Sequence, residues 1–155
     1  MSGGGPETGV GGEGQAGGEG RYVTRVREAM LAEPRALTVG ATAQEAGAIL
    51  ARVEVRSVLV VDVQGLLVGE VTRASLVERV VAAGRDPRTT TVGSIVVPVA
   101  VMLDADADVE QAFLLMDEHD SERLPVVDGG RLVGALSRSV LRRRLAEDEP
   151  PPGDD

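Results

Sequence analysis

A chain of 155 residues with no cysteine and a single histidine is long enough for a real core, but it has no thiols for a disulfide framework or a thiolate metal site, and it argues against a histidine-based triad. Eight of its 25 acids, Glu7, Glu13, Glu19, Glu147, Asp148, Glu149, Asp154 and Asp155, lie at the two ends, so the formal charge of −9 is mostly theirs and the middle, with 17 acids against 16 bases, is nearly neutral. Such ends favour solubility and disfavour nonspecific attraction to nucleic acid or anionic lipid.

In chain order, MSGGGPETGVGGEGQAGGEG holds half of the 20 glycines and almost nothing apolar, so residues 1–20 are expected to be disordered. They lack the basic and apolar regions of a signal peptide, and no apolar run approaches the ~18 residues of a membrane span. The expectation is a cytoplasmic protein with no membrane attachment. An apolar run, Ala36 to Val39, then precedes Thr42-Ala-Gln-Glu45, a capping box that opens a helix with its apolar stripe at Ala46, Ile49, Leu50 and Val53. Val58 to Val61 and Leu66 to Val71 flank a turn and read as buried strands. A second helix starts near Arg73, carries Leu76, Val77 and Val80, and stops at Gly84.

After a linker at 85–91 the same order returns. Val99 to Leu103 form a short run, Asp108-Val-Glu-Gln111 caps a helix bearing Ala112, Leu115 and Met116, and Leu124 to Val127 and Leu132 to Leu136 form a strand pair. A helix from Arg138 follows, with Leu141 and Leu145. A shift of 66 positions places Leu37 on Leu103, Ala46 on Ala112 and Val60-Val61-Asp62 on Val126-Val127-Asp128. The first turn is one residue longer, so Val68-Gly69 meets Val133-Gly134 at a shift of 65. The chain is a tandem duplication. A unit of this size buries too little surface alone, so the copies are expected to pack together and enclose a cleft. The chain thus divides into repeat 1 at 21–84, repeat 2 at 92–146 and an acidic tail expected to be disordered at 147–155.

ERLPVVDGGRLVGALS and VRSVLVVDVQGLLVGEVT, each downstream of a capped helix, resemble paired cystathionine-beta-synthase (CBS) domains, the tandem called a Bateman module. The resemblance covers roughly Arg21 to Ala146. It implies an α+β fold of two β-α-β-β-α repeats with pseudo-two-fold symmetry, a homodimer, and a cleft for adenosine-containing ligands such as AMP, ADP, ATP or S-adenosylmethionine. In many such domains a Gly-hydrophobic-x-Thr/Ser-x-x-Asp segment supplies a hydroxyl and a carboxylate to the ligand. Here Gly69-Glu-Val-Thr72-Arg-Ala-Ser75 and Gly134-Ala-Leu-Ser137-Arg-Ser-Val140 keep both hydroxyls and lack both carboxylates. The resemblance further implies a phosphate contact for Arg123, just before Leu-Pro-Val-Val-Asp, whose counterpart is Ser57. Thr72, Ser75, Arg123, Ser137 and Arg138 are therefore the candidate ligand contacts. Hydroxyls at 72 and 137 also suit helix capping alone, and Arg123 also suits a solvated surface position.

Other motifs have plainer readings. Asp104-Ala-Asp106-Ala-Asp108 resembles the start of a calcium loop, but Val109 and Leu115 stand where that loop needs Gly and Glu, so helix-start carboxylates are the better account. Arg142-Arg143-Arg144 runs straight into acids and reads as a solvated helix face. One Tyr and one Phe offer no platform for stacking bases. His119 has no partner constellation for catalysis. The expected protein is a non-enzymatic regulatory module that requires no cofactor and no metal, and that passes the state of an adenosyl ligand to a regulated partner protein. The alternative is a structural dimerisation or interaction module with decayed ligand sites.

Overall fold

The computed structural model describes residues 24–32 and 35–148. The glycine-rich segment 1–20 and most of the acidic tail lie outside them. The chain forms α1 (Val26–Ala29), β1 (Leu31–Ala32), β2 (Ala36–Thr38), α2 (Ala43–Leu50), β3 (Ser57–Val61), β4 (Leu67–Thr72), α3 (Arg73–Leu76), β5 (Leu103–Asp104), α4 (Val109–Glu118), β6 (Arg123–Asp128), β7 (Arg131–Ser137) and α5 (Arg138–Asp148). The last helix therefore extends two residues into the segment read as tail.

Two sheets result, ordered β2-β3-β4 and β1-β7-β6-β5. In each repeat a short strand pairs in parallel with the first strand of an antiparallel hairpin. Register slips at Val60/Val61 in one hairpin and at Val126/Val127 in the other, at positions 66 apart. The duplication is thus preserved down to its irregularities. The two hairpin turns meet: the Leu67 amide donates to Gly130 O at 2.9 Å, the Leu132 amide donates to Gly65 O at 3.0 Å, and Arg131 Nη1 donates to Gln64 O.

Each repeat completes the other's core. The segment leading into repeat 1 leaves it and packs on repeat 2, where Val26 and Ala29 join Leu103, Val109, Met116, Leu136 and Leu141 in one buried cluster. The segment leading into repeat 2 packs on repeat 1, where Val92 and Ile95 join Ala46, Leu50, Val58, Val60 and Val71. The backbone hydrogen bonds are the same in both. Val26 and Arg27 donate to Ala107 O and Ala105 O at 2.8 and 2.9 Å, and Val92 and Gly93 donate to Ala41 O and Val39 O at 2.8 and 3.0 Å. A repeat this small gains core volume by borrowing a segment, and the borrowing is reciprocal.

Several sequence expectations change at this level. The α2 stripe ends at Leu50, because the Arg52 amide turns back to Ile49 O at 3.2 Å, and Val53 is 87% exposed. Val99 to Met102 are not a strand, and only Leu103 and Asp104 pair. Asp108 caps α4 by accepting from the Glu110 amide at 2.8 Å rather than from Gln111. The second helix of repeat 1 passes from one α turn into a π turn, Val77–Val81, before Gly84 closes it at φ +71°. Leu141, on the helix from Arg138, is fully buried.

Candidate functional site

The duplicated motif places a hydroxyl residue at the end of each hairpin's second strand, where a helix begins. Thr72 ends β4 and lies opposite Ser57. Ser137 ends β7 and lies opposite Arg123. Both pairs sit at the open end of a hairpin, away from the turns that join the repeats.

Capping consumes these hydroxyls unequally. Thr72 Oγ1 accepts from the Ser75 amide at 3.0 Å, while Ser75 Oγ accepts from the Thr72 amide at 2.8 Å and donates to Thr72 O at 2.9 Å. Ser75 is 2% exposed, so its hydroxyl is buried and its one proton is spent on the helix start. Ser137 Oγ accepts from the Val140 amide at 3.2 Å. Thr72 and Ser137 therefore each spend a lone pair on the helix start and keep an O–H for another acceptor. Arg123 is exposed, and its guanidinium has no hydrogen bond or ion pair among the described residues.

Arg138, expected among the ligand contacts, is occupied elsewhere. Its Nη2 donates to Met116 O at 2.8 Å, its Nε to Ser121 O at 3.3 Å and its Nη1 to Asp117 Oδ1 at 3.2 Å, and its guanidinium lies 6.0 Å from the Phe113 ring centre. The side chain staples the C-terminus of α4, whose last carbonyls need donors. Its counterpart Arg73 does the same for α2 more loosely, with Nη2 donating to Arg52 O at 2.7 Å from an exposed position. The repeated hydroxyl-Arg pair thus carries two jobs: a cap for the following helix and a clasp for the preceding one.

The repeated glycines also have a packing reason that sequence reading missed. A Cβ on Gly69 would lie 2.7 Å from Val97 O, and one on Gly134 would lie 2.7 Å from Leu31 O. Each glycine is where the other repeat's borrowed segment crosses its strand. The signal was present, since Val26 and Ala29 stand 66 positions before Val92 and Ile95, but the first pair precedes any strand pattern.

Ion pairs strengthen the crossing made by α1. Arg27 on the borrowed α1 bonds Asp106 Oδ1 at 2.9 Å and Asp128 Oδ2 at 3.1 Å, and hydrogen bonds to Asp128 and Asp106 hold its guanidinium pKa above the ordinary value. Asp106 of the alternating acids is thereby used in an ion pair. In the linker, Arg88 holds the Asp86 carboxyl below the usual range, through its side chain first and its amide second. Among the described residues, no group of three or more His, Cys, Asp or Glu is placed to hold a metal ion, and no helix is long and apolar enough to cross a membrane.

The architecture is that of a paired α+β repeat module with a hydroxyl at each hairpin end and, at one, a cation without a partner among the described residues. Residues 26–82 and 92–147 each match the CBS domain family, and the chain belongs to that family. It is 34% identical over 79 residues to hypoxic response protein 1 of Mycobacterium tuberculosis, a match covering 51% of this chain and 55% of that protein, so it spans about half of that relative's length. It is 30% identical over 119 residues to the CBS domain-containing protein YhcV of Bacillus subtilis, covering 77% and 84%. The crystal structure of hypoxic response protein I with two coordinated zinc ions aligns at a TM-score of 0.62 and 26% identity over 82% of this chain and all of that one. CBSX2 in complex with AMP aligns at 0.62 and 23% identity, over 79% and 96%. The CBS domain pair of MJ0100, in complex with 5′-methylthioadenosine and S-adenosyl-L-methionine, aligns at 0.57 and 22% identity, over 83% and 100%.

Proposed function

We propose that the protein is a non-enzymatic regulatory module, cytoplasmic and homodimeric, that binds an adenine nucleotide or another adenosyl ligand and passes its occupancy to a partner protein. The contacts are Thr72, Ser137 and Arg123. Ser75 and Arg138 support them from behind, by holding a helix start and a helix end. The observation that carries this reading is the second repeat's hairpin end: an exposed guanidinium without a partner among the described residues, in register with a hydroxyl that still has a proton to donate. That pairing suits a phosphate or a ribose oxygen. AMP in CBSX2 and the two adenosyl compounds in the MJ0100 pair supply the ligand class.

A second reading, a structural interaction module, is favoured by the missing carboxylates at Ser75 and Val140 and by apolar grooves on the helix layer of repeat 1, lined by Gly47, Leu76 and Val81 among others. A thermal-shift panel of AMP, ADP, ATP, NAD and S-adenosylmethionine separates the two, because a ligand that prefers the native state raises the melting temperature by mass action. At least one compound is expected to raise it, and Arg123→Gln is expected to abolish most of the rise for phosphorylated ligands, since a charge-assisted contact is worth roughly ten- to a hundredfold in affinity. A panel with no response favours the interaction module.

A further inference from the structure

We infer that the first repeat's hairpin carries a second small-molecule site, centred on the Glu70 carboxylate, which takes a cationic adenosyl ligand where the second repeat's hairpin end takes an anionic one. This deepens the reading above: it rests on that reading for the adenosyl class and adds the charge that divides the two halves of the pair.

The two hairpins differ on one matched face. Side chains alternate between the faces of a strand, and residues in antiparallel register stand side by side on one face. Val58, Val60 and Val71 turn one face of the first hairpin into the core of that repeat, so Ser57, Leu59, Val61, Glu70 and Thr72 share the other. Leu124, Val126 and Leu136 do the same in the second hairpin. On the face opposite, the positions that match Leu59, Val61 and Glu70 are Pro125, Val127 and Ala135. All three are buried, whereas Leu59, Val61 and Glu70 are half-buried. The first repeat's face is therefore the more open one, and it holds a carboxylate where the second holds a methyl group.

Glu70 is fixed in place but lacks a partner. Its backbone is held from both sides, by register with Leu59 and by mutual 2.9 Å bonds with Val97, as Ala135 is held by Pro125 and Leu31. Its carboxylate has no hydrogen bond or ion pair among the described residues. Thr72, two residues along the same face, keeps an O–H beyond its cap, and Ser57 lies opposite Thr72. Withdrawing a carboxylate from water without a partner is costly, and a cation brought to it offsets that cost through a charge-assisted contact. Leu59 and Val61 offer apolar surface to the body of such a ligand. A phosphate at this place would meet like charge. Arg123 reverses the preference in the second hairpin, at the position that matches Ser57.

S-adenosylmethionine and S-adenosylhomocysteine differ by one methyl group and the sulfonium charge, so the pair reads the carboxylate directly. Calorimetry on the full chain is expected to show the sulfonium bound about tenfold more tightly than the neutral thioether, and Glu70→Gln is expected to erase that preference. AMP, titrated alongside, reports on the second repeat's hairpin end. Equal binding of the two sulfur compounds, a preference that survives Glu70→Gln, or binding of AMP alone overturns the site and leaves the anionic reading standing. No binding of any of the three overturns both. Glu70→Gln is also expected to unfold at the same denaturant midpoint as the parent or slightly above it, since it removes a charge that has no partner. A marked fall in that midpoint would assign the carboxylate a structural partner and overturn the inference.

Discussion

Replacing Gly134 with valine is expected to destabilise the protein by more than about 3 kcal/mol, and Gly69→Val by a similar amount, because both glycines lie under a backbone that cannot retreat. The Cβ of any other residue at 134 would stand 2.7 Å from Leu31 O and 2.5 Å from Met30 Sδ. At 69 it would stand 2.7 Å from Val97 O and 3.0 Å from Val96 Cβ. The methionine sulfur can move aside, but the carbonyls belong to segments fixed by their own hydrogen bonds, Leu31 in register with Ala135 and Val97 in mutual 2.9 Å bonds with Glu70. Displacing either segment would also uncover Val26 or Ile95, which are fully buried. Alanine at either site should already cost roughly 2 kcal/mol. Gly40→Ala is the control, since a Cβ there would meet nothing within 4 Å, and it should be neutral or slightly stabilising. Urea unfolding of the variants measures the difference, and a Gly134→Val protein as stable as the parent would mean that the borrowed segments do not hold the repeats together.

The two arginines of the duplicated hydroxyl-Arg pair are expected to differ sharply in worth. Arg138→Ala should cost about 2–4 kcal/mol, because it removes the guanidinium of a residue that is 8% exposed, takes from Met116 O one of its two donors and leaves Ser121 O without its side-chain donor. Arg73→Ala should cost under about 1 kcal/mol, since the carbonyl it releases belongs to Arg52, which is exposed, and water can satisfy it. If Arg138 were instead mainly a ligand contact, the stability cost would be small and the loss would appear in binding. Denaturant midpoints for both variants, with and without AMP, distinguish the roles.

Much of this was legible in the sequence because duplication prints each signal twice. Thr42 caps α2 by accepting from the Glu45 amide, and the strand pairs fall within a residue or two of their apolar runs. What escaped was whatever depends on the other repeat. Nothing local marks Val26 as a core residue of repeat 2 or Val92 as one of repeat 1, because borrowing is a tertiary exchange. Leu141 is one apolar residue before an arginine run when its helix is taken alone, and it is buried against residues of α1 and α4. The sequence names the candidate residues but not the hydrogen bonds that each one makes. Only the folded arrangement distinguishes Ser75, whose O–H is spent at a helix start, from Ser137, which keeps a donor, and Arg138, which clasps a helix, from Arg123, which has no partner among the described residues.

Binding of AMP, followed by titration calorimetry on the parent chain and on Val140→Asp, tests the ligand-sensor reading most directly. Val140 occupies the third position of α5, and its amide bonds Ser137 Oγ, so a carboxylate there restores the residue that the family motif supplies beside that hydroxyl. An acid in the first helical turn is also compatible with the helix dipole. The parent is expected to bind AMP, and Val140→Asp to bind it about tenfold or more tightly, by adding a charge-assisted bond to the ribose. No detectable heat from AMP with either protein would contradict a nucleotide site at the second repeat's hairpin end.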